Sequence, residues 1–479
     1  MVLETVEAGG LAHLSYLLGD DAAGVCAVID PRRDVEVYLD LARRNNLRVT
    51  HILETHIHAD FVSGSRELAA RTGAPIYVGA AADGYGFDHE PLKDGDTLEV
   101  GVLTLRVLHT PGHTPEHVCY LASGGKGSSE PWGLFSGDAL FAGEVGRPDL
   151  LGGGSEKKLA AALYHSLHDT ILKLGDEVEV YPAHGEGSPC GGSIGDRNTT
   201  TVGYERLHNP KLKPMSEAAF VEKVLTGLPP APTYYRRMKK VNAEGPAVLG
   251  CQRLLPTLDP ERFDAERRKP GTVVVDAREI EAFGGAHVAG ALNVALRAEF
   301  PVWSGWMLRP EQTILLVTQD AADVETVETH LIRVGLEKLG GYLRQGMRGW
   351  LEAGLPFETL PQMSVHELHD RVRSKRKGDG LQVLDVRRDD EWEAGAVPTA
   401  KHAFVPDLRK RLDDLGLDRE KPLAVYCGSG YRASIAASLL KAEGFAAVEN
   451  VPGSMKAWKA AGFATEKPGT GDDRDDEEE

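Results

Sequence analysis

Apolar and polar positions over roughly the first 245 residues fall into short runs separated by turn residues. HLSYLLGD (13–20) and GVCAVID (24–30) predict strands, and VTHILETH (49–56) predicts a buried strand. VEVYLDLARRNN predicts an amphipathic helix with Val37, Leu39, Leu41 and Ala42 as its apolar positions. GSRELAARTG predicts a helix closed by a glycine. TLEVGVLTLRVLHTPGH and VCYLAS predict further strands, and EKKLAAALYHSLHDTILKLG (156–175) one long helix. Hairpins and crossovers are mixed, which predicts stacked α and β layers.

From about residue 255 the pattern repeats itself. VVVDAREIEAFGGAHVAGALNV lies over QVLDVRRDDEWEAGAVPTAKHA, pairing Asp276 with Asp385, Arg278 with Arg387 and Phe283 with Trp392. Farther on, ILLVTQDAADVETVETHLIRVG lies over LAVYCGSGYRASIAASLLKAEG, and Met347 and Trp350 lie over Met455 and Trp458. A register held over three blocks is the mark of a duplicated domain. The expected organisation is a front domain over 1–245, two copies of a smaller α/β domain over 246–358 and 359–467, and a disordered acidic tail over 468–479. GLPPAPTYY (227–235) reads as a linker or a surface crossing.

Composition narrows the function classes. The chain has 479 residues, 42% hydrophobic and 26% charged, which suits packed globular domains. Lys plus Arg is 54 against 72 Asp plus Glu, a net charge of −18. Part of that excess sits in Asp472–Glu479, and no basic run offsets it, so neither nucleic acid nor a membrane surface is an expected partner. No run approaches a membrane span, and the first residues carry acids where a secretory signal carries Lys or Arg. The five cysteines (Cys26, Cys119, Cys190, Cys251, Cys427) are odd in number and form no disulfide framework. A reducing cytoplasm is the expected location.

Metal-ligand residue types recur at strand ends. THIHADF supplies His56, His58 and Asp60; HTPGHTPEH supplies His113; LFSGDALF supplies Asp138; VYPAHGE supplies His184. Imidazoles and carboxylates aimed from strand ends into one cavity are what a metal site needs. His109 and His117, flanking His113, are expected to support it. Cys190, in the Gly-rich GSPCGGS, reads either as a thiol at the cavity mouth or as a small buried side chain.

These motifs resemble the metallo-β-lactamase superfamily, which implies an αββα sandwich over the front 245 residues. Binuclear hydrolases of that superfamily carry His directly after the Asp, where this chain has Phe61. An apolar ring binds no metal, so the resemblance points to the persulfide dioxygenase branch with one Fe(II) per chain. That likeness implies His56, His113 and Asp138 as ligands, with positions left open for O2 and a substrate sulfur. It implies His58, Asp60 and His184 as supporting or substrate-side groups, and Tyr181 and Arg147 near the substrate pocket. Arg147 reads as a clamp for a substrate carboxylate or as a structural arginine.

YCGSGYRASIAASLLKAEGF reads as strand, loop and helix. Cys427 ends the strand, Gly428, Ser429, Gly430 and Tyr431 form the loop, and Arg432 closes it. Backbone N–H groups and a helix N-terminus aimed at the sulfur favour a thiolate of low pKa, or a bound persulfide anion. The loop resembles that of the rhodaneses, and Asp385 and Arg387 fit that family's Asp-x-Arg. The turn after Trp392, GAVPT, departs from the family's usual Gly-His-Ile-Pro-Gly. In the first copy Gln319 and Val324 occupy the Cys and Arg positions, so that copy is expected to fold without catalysing and to serve as a spacer, docking or dimerisation element.

The combined expectation is an α/β multidomain enzyme with a metallo-β-lactamase-fold persulfide dioxygenase followed by two rhodanese-like domains. It would oxidise a low-molecular-weight persulfide with O2 to sulfite and pass sulfur through Cys427, with thiosulfate as product or donor. A homo-oligomer is expected. The alternative is a Zn thioester hydrolase of glyoxalase II type fused to a rhodanese. In a third reading the rhodanese copies only bind, which fits the first copy and not the second.

Overall fold

The computed structural model describes residues 1–80, 84–124, 130–250, 254–373 and 380–467. The acidic tail expected from the sequence, and Cys251, lie outside the described residues. The chain divides into two compact units: Met1–Arg253 with Thr329–Leu336, and Leu254–Glu328 with Glu337–Glu479.

Among the described residues, the front unit holds two six-stranded sheets. The first is β1 (Val2–Ala8), β2 (His13–Asp20), β3 (Val25–Ile29), β4 (Arg48–Leu53), β5 (Ile76–Gly79) and β6 (Glu90–Leu92), in that spatial order. The second contains β7 (Thr97–Val100), β8 (Leu103–His109), β9 (Val118–Gly124), β10 (Pro131–Gly137), β11 (Glu179–Pro182) and β12 (Thr200–Thr201). Alternation decides the faces: along β8, Leu103, Leu105 and Val107 are buried, whereas Arg106 is exposed. These side chains interleave with Leu14, Tyr16, Leu18, Ile29 and Leu53 of the first sheet. The helices Glu36–Arg44 and Ser65–Thr72 cover the outer face of the first sheet, and Glu156–His165 and Glu217–Leu225 that of the second. The result is the αββα sandwich.

The stretch 156–175 departs from a uniform helix. It is α-helical over Glu156–His165, a π turn over Ser166–Thr170 and 3-10 over Ile171–Lys173. The extra residue of the π turn lets the Ser166 hydroxyl donate to the Pro111 carbonyl at 2.7 Å, bracing the loop that carries His113. The Pro-rich stretch leads into a further helix, Tyr235–Glu244, which the sequence pattern did not announce.

The back unit holds the two copies. The first sheet has the order β13 (Thr257–Leu258), β17 (Leu339–Leu343), β16 (Thr313–Val317), β14 (Thr272–Asp276), β15 (Leu292–Asn293). The second has the order β19 (Lys401–His402), β18 (Gln382–Asp385), β20 (Leu423–Tyr426), β21 (Val448–Asn450). Both are parallel. The helix Tyr431–Ala442 is buried at every position from Ala433 to Leu440. It packs on its own sheet and also on the first copy, where the Asn293 N–H donates to Ser438 Oγ at 3.0 Å. No helix among the described residues is long and apolar enough to cross a membrane.

Candidate metal centre and sulfur-transfer loop

His56 follows β4, His113 sits in the β8–β9 turn, Asp138 directly follows β10, and His184 lies two residues past β11. The four strand ends meet at one end of the sandwich, and all four side chains are buried. His56 Nε2 lies 3.7 Å and His113 Nε2 3.4 Å from Asp138 Oδ2. His113 Nδ1 faces the Arg147 carbonyl at 2.9 Å; a carbonyl only accepts, so the ring proton sits on Nδ1 and the Nε2 lone pair faces the site. His56 reaches the same state through Thr55, whose hydroxyl donates to Asp30 Oδ2 at 2.8 Å and so accepts from His56 Nδ1 at 2.9 Å. Burial, with His58 beside His56 and Lys239 near His113, holds both pKa values well below the ordinary imidazole value. Both rings are therefore neutral donors.

The backbone fixes the carboxylate. The Asp138 N–H donates to His117 Nε2 at 3.0 Å, and burial depresses the His117 pKa to about 3, which keeps that nitrogen an acceptor. Gly137 has φ +52°, and a Cβ there would run into His117 and Thr55, so only glycine serves. Burial lifts the Asp138 carboxyl above the ordinary aspartate value despite His184 beside it. His113 Nε2 and Asp138 Oδ2 are buried and have no hydrogen-bond partner. Two neutral imidazoles and one carboxylate, converging with orphaned donor atoms, fit a divalent metal ion.

His58 belongs elsewhere. Its Nε2 lies 3.1 Å from Asp30 Oδ1 and 3.2 Å from Glu54 Oε2. Burial opposes charge on it, but the two carboxylates win and raise its pKa well above the ordinary value. Those two carboxylates keep the ring out of the Asp138 set, and Asp30 in turn holds Thr55 and through it His56. His184 Nδ1 meets Asp138 Oδ1 at 2.7 Å and its Nε2 meets Asp60 Oδ2 at 3.0 Å. Burial again works against charge, yet the paired aspartates push its pKa up to about 10.

Tyr181 departs from its sequence expectation, and Arg147 takes the structural one of its two readings. Tyr181 lies in the core between the sheets, stacked on Phe135, with its hydroxyl donating to Glu179 at 2.6 Å. The alternation of β11 turns it away from the strand end that carries His184. Arg147 is a brace and no carboxylate clamp: its guanidinium donates to Asp149 at 3.0 and 2.7 Å and to the Pro189 carbonyl at 3.1 Å. Cys190 is buried beside this brace, and its donor atom groups with those of Asp60 and His184. The His109 ring faces the Pro115 carbonyl at 3.0 Å, and its backbone N–H donates to Asp94 at 2.9 Å.

Sequence reasoning missed Asp30, Glu54 and Asn242. The first two end apolar strands, the same signal that singled out Asp138. Asn242 carries no such signal; it donates to the His58 and Phe61 carbonyls at 2.8 and 2.7 Å and accepts from the Ser63 N–H at 2.9 Å. It thereby sets the loop holding both histidines.

In the last copy Cys427 is buried, and its Sγ accepts from the Gly430 N–H at 3.1 Å. Gly430 takes φ +109° as cap of the helix Tyr431–Ala442, which turns its N–H onto the sulfur. The Cys427 N–H is held by Ser454 Oγ at 3.0 Å. Arg432 is clamped by Glu391 through two bonds of 2.6 and 2.8 Å. The Tyr431 hydroxyl donates to the Ala295 carbonyl of the first copy at 2.9 Å. In that first copy Gln319 is exposed and Val324 buried, with neither nucleophile nor cation.

The sandwich and its strand-end ligands define a metallo-enzyme frame, and the chain belongs to the metallo-β-lactamase superfamily, whose model matches residues 8–184. Two rhodanese-like domains follow in the sequence, matched over 259–353 and 364–461. The 2.1 Å crystal structure of a metallo-β-lactamase from Staphylococcus aureus subsp. aureus COL is 34% identical and covers 72% of this chain and 98% of that one, with TM-score 0.65. The ETHE1 structure from Myxococcus xanthus is 29% identical and covers 51% of this chain and 99% of that one, with TM-score 0.44. A hydroxyacylglutathione hydrolase of Polaromonas sp. (strain JS666) is 34% identical over 188 residues, 38% of this chain and 66% of that protein.

Proposed function

We propose that the front unit is an Fe(II)-dependent persulfide dioxygenase and the last copy a sulfurtransferase working through Cys427. The observation that carries the first half is the convergence of His56, His113 and Asp138 beside Phe61. The Phe61 ring packs on His13 at 4.0 Å and on His58 at 4.5 Å, where a binuclear hydrolase has an imidazole ligand. Fe(II), bound by two imidazoles and one carboxylate, supplies open positions and the electron chemistry that lets O2 react with a sulfur donor. The chain's own residues hold those ligands in place. Arg147 and Thr55 fix the two histidine tautomers, His117 fixes the Asp138 backbone, and His184 fixes the Asp138 side chain. The substrate of this reading is a low-molecular-weight persulfide, and the products are sulfite and the thiol.

In the last copy, the Cys427 thiolate attacks the terminal sulfur of a persulfide. The S–S bond breaks and the thiol leaves with the electron pair. The Gly430 N–H and the helix N-terminus stabilise charge on the cysteine sulfur. Sulfite then takes the outer sulfur from the Cys427 persulfide, giving thiosulfate and the free thiolate. The reverse sequence uses thiosulfate as donor.

Metal analysis together with O2 uptake on glutathione persulfide tests the front half. The expected result is one iron per chain and O2-dependent sulfite formation, both lost in Asp138→Ala. A second reading, a Zn thioester hydrolase, draws support from the grouping of Asp60, His184 and Cys190, which offers donors for a further ion. Bound zinc, thioester hydrolysis and no O2 uptake would replace the first reading with the second.

A further inference from the structure

Lys239, in the front unit, is a cation without a hydrogen-bond partner: its Nζ is buried, and nothing among the described residues accepts from it. The next lysine shows the ordinary arrangement. Lys240 lies exposed on the helix Tyr235–Glu244 and pairs with Glu244 at 3.7 Å. Spacing explains the contrast. Tyr235, Lys239 and Asn242 stand at i, i+4 and i+7, one stripe of that helix. Asn242 shows what the stripe faces, because its amide donates to the His58 and Phe61 carbonyls of the metal loop at 2.8 and 2.7 Å.

The same stripe carries an unmet hydroxyl. That of Tyr235 is buried without a partner, and so is that of Tyr234, whose ring stands edge-on to Tyr235 at 5.1 Å. Lys239 is close enough to His113 for its charge to help hold that imidazole neutral. The groups around the ammonium are engaged elsewhere or uncharged. Glu116 accepts from the Ile57 N–H at 2.9 Å, and Asp149 holds Arg147 at 3.0 and 2.7 Å. Cys190 stays a neutral thiol, because burial raises its pKa well above the ordinary value. Burial lowers the Lys239 pKa to about 8 although Glu116 works the other way, so the ammonium is still charged at neutral pH. A buried charge without an acceptor is unfavourable, and the partner that relieves it is an anion.

We propose that Lys239 and Tyr235 form a subsite for a carboxylate of the substrate's thiol carrier, so that the front unit selects an anionic persulfide over a neutral one. Arg147, which the sequence offered for that task, is spent on Asp149 and the Pro189 carbonyl. Lys239 supplies the charge and Tyr235 a second hydrogen-bond donor, a pair that suits a hard oxygen anion. The softer sulfur of the same ligand is left to the His56, His113 and Asp138 set. For the sulfur end of the ligand this rests on the persulfide reading; the carboxylate end stands on Lys239 and Tyr235.

The test is calorimetric binding to the full-length protein with the metal it carries, without O2, using two thiols of one shape: 3-mercaptopropionate and its neutral amide, 3-mercaptopropionamide. The wild type should bind the carboxylate about tenfold more tightly than the amide, the worth of a charge-assisted hydrogen bond. Lys239→Gln should abolish that preference while its affinity for the amide and its metal content stay at the wild-type level, which shows that the variant is folded. Tyr235→Phe should reduce the preference about threefold, and Lys240→Gln, a change of the same charge on the outer face, should retain it. Equal affinity for the two thiols in the wild type, a full preference in Lys239→Gln or Tyr235→Phe, or its loss in Lys240→Gln would each overturn the proposal. The wild-type comparison and Tyr235→Phe decide the question even if Lys239→Gln does not fold. Failure of O2 uptake, by contrast, would bear only on the dioxygenase reading, because the binding measurement needs no turnover.

Discussion

The two rhodanese-like copies share a frame and differ in one loop. In each, a buried Asp-x-Arg pair closes on itself: Arg278 Nε and Nη2 donate to Asp276 at 2.9 and 2.6 Å, and the same atoms of Arg387 donate to Asp385 at 3.0 and 2.6 Å. Each arginine also donates to a backbone carbonyl, Ala286 in one copy and Gly395 in the other. The Trp350 and Trp458 indoles both donate to carbonyls six residues on, at 2.9 Å. These features persist in the copy that has lost its nucleophile. They therefore serve folding, and the sulfur transfer proposed above is assigned to the stretch from Cys427 to Arg432.

The largest break in that comparison is Cys427→Ser. A serine is far less easily ionised than a thiol and forms no persulfide, so thiosulfate:cyanide sulfur transfer should fall below detection. O2 uptake with a supplied persulfide should continue, with sulfite accumulating in place of thiosulfate. A product assay resolving the two anions decides it; thiosulfate formed at the wild-type rate would remove Cys427 from its role.

Restoring the lost pair in the first copy asks the converse question. Gln319→Cys combined with Val324→Arg should give no transfer, measured in a protein that also carries Cys427→Ser. Residues 320–323 are Asp, Ala, Ala and Asp, without the glycines that turn N–H groups inward, and they place carboxylates where the active loop has none. Measurable activity would show that the nucleophile and the cation suffice without the loop backbone.

The shared frame should fail in both copies when its aspartate is removed. Asp276→Ala and Asp385→Ala each leave a buried guanidinium without its counter-ion, a loss of about 3–5 kcal/mol. The effect should be larger for Asp385, which also accepts the Tyr426 hydroxyl at 2.6 Å. Denaturant unfolding of the full chain, followed at each variant, measures both.

Glu391 distinguishes the active loop by its charge pairing. Burial works against its ionisation, yet Arg432 holds the carboxyl below the ordinary glutamate value. A lowered acid pKa means that the pair's contribution is present above the ordinary value and disappears as pH falls through the lowered one. Glu391→Gln should therefore flatten the acid limb of the transfer rate against pH; an unchanged profile would leave Glu391 without influence on the loop.

Tyr431→Phe is expected to cost about 1 kcal/mol, the worth of its bond to the Ala295 carbonyl, with a modest fall in transfer rate. Smallest of all, Gln319→Ala should change stability by less than about 0.5 kcal/mol and neither activity, since that side chain is exposed and unused.

Much of this was written locally. Alternation in β8 and apolar runs such as β2 predicted the sandwich strands, and the strand-end residues His56, His113, Asp138 and His184 were each marked by the strand before them. The repeat in the back half was legible because Asp, Arg, Met and Trp recur in register. The active loop was legible because Cys427, two glycines and Arg432 lie within six residues. Those features depend on neighbours in the chain, where residue type sets the backbone and the buried face.

Tertiary structure decided what proximity decides. His56 and His58 are two residues apart in one motif, yet the fold sends one to the Asp138 cavity and pairs the other with Asp30 and Glu54. Tyr181 and His184 share a strand end, yet one faces the core and the other the site. Asp60 and His184 meet although 124 residues separate them. Cys190 joins them, and Asn242 reaches back from a helix that the pattern did not announce. Sequence periodicity fixes which face of an element is buried; which side chains share that buried space follows only when the sheets and loops have packed, because packing alone sets the distances on which coordination and charge depend.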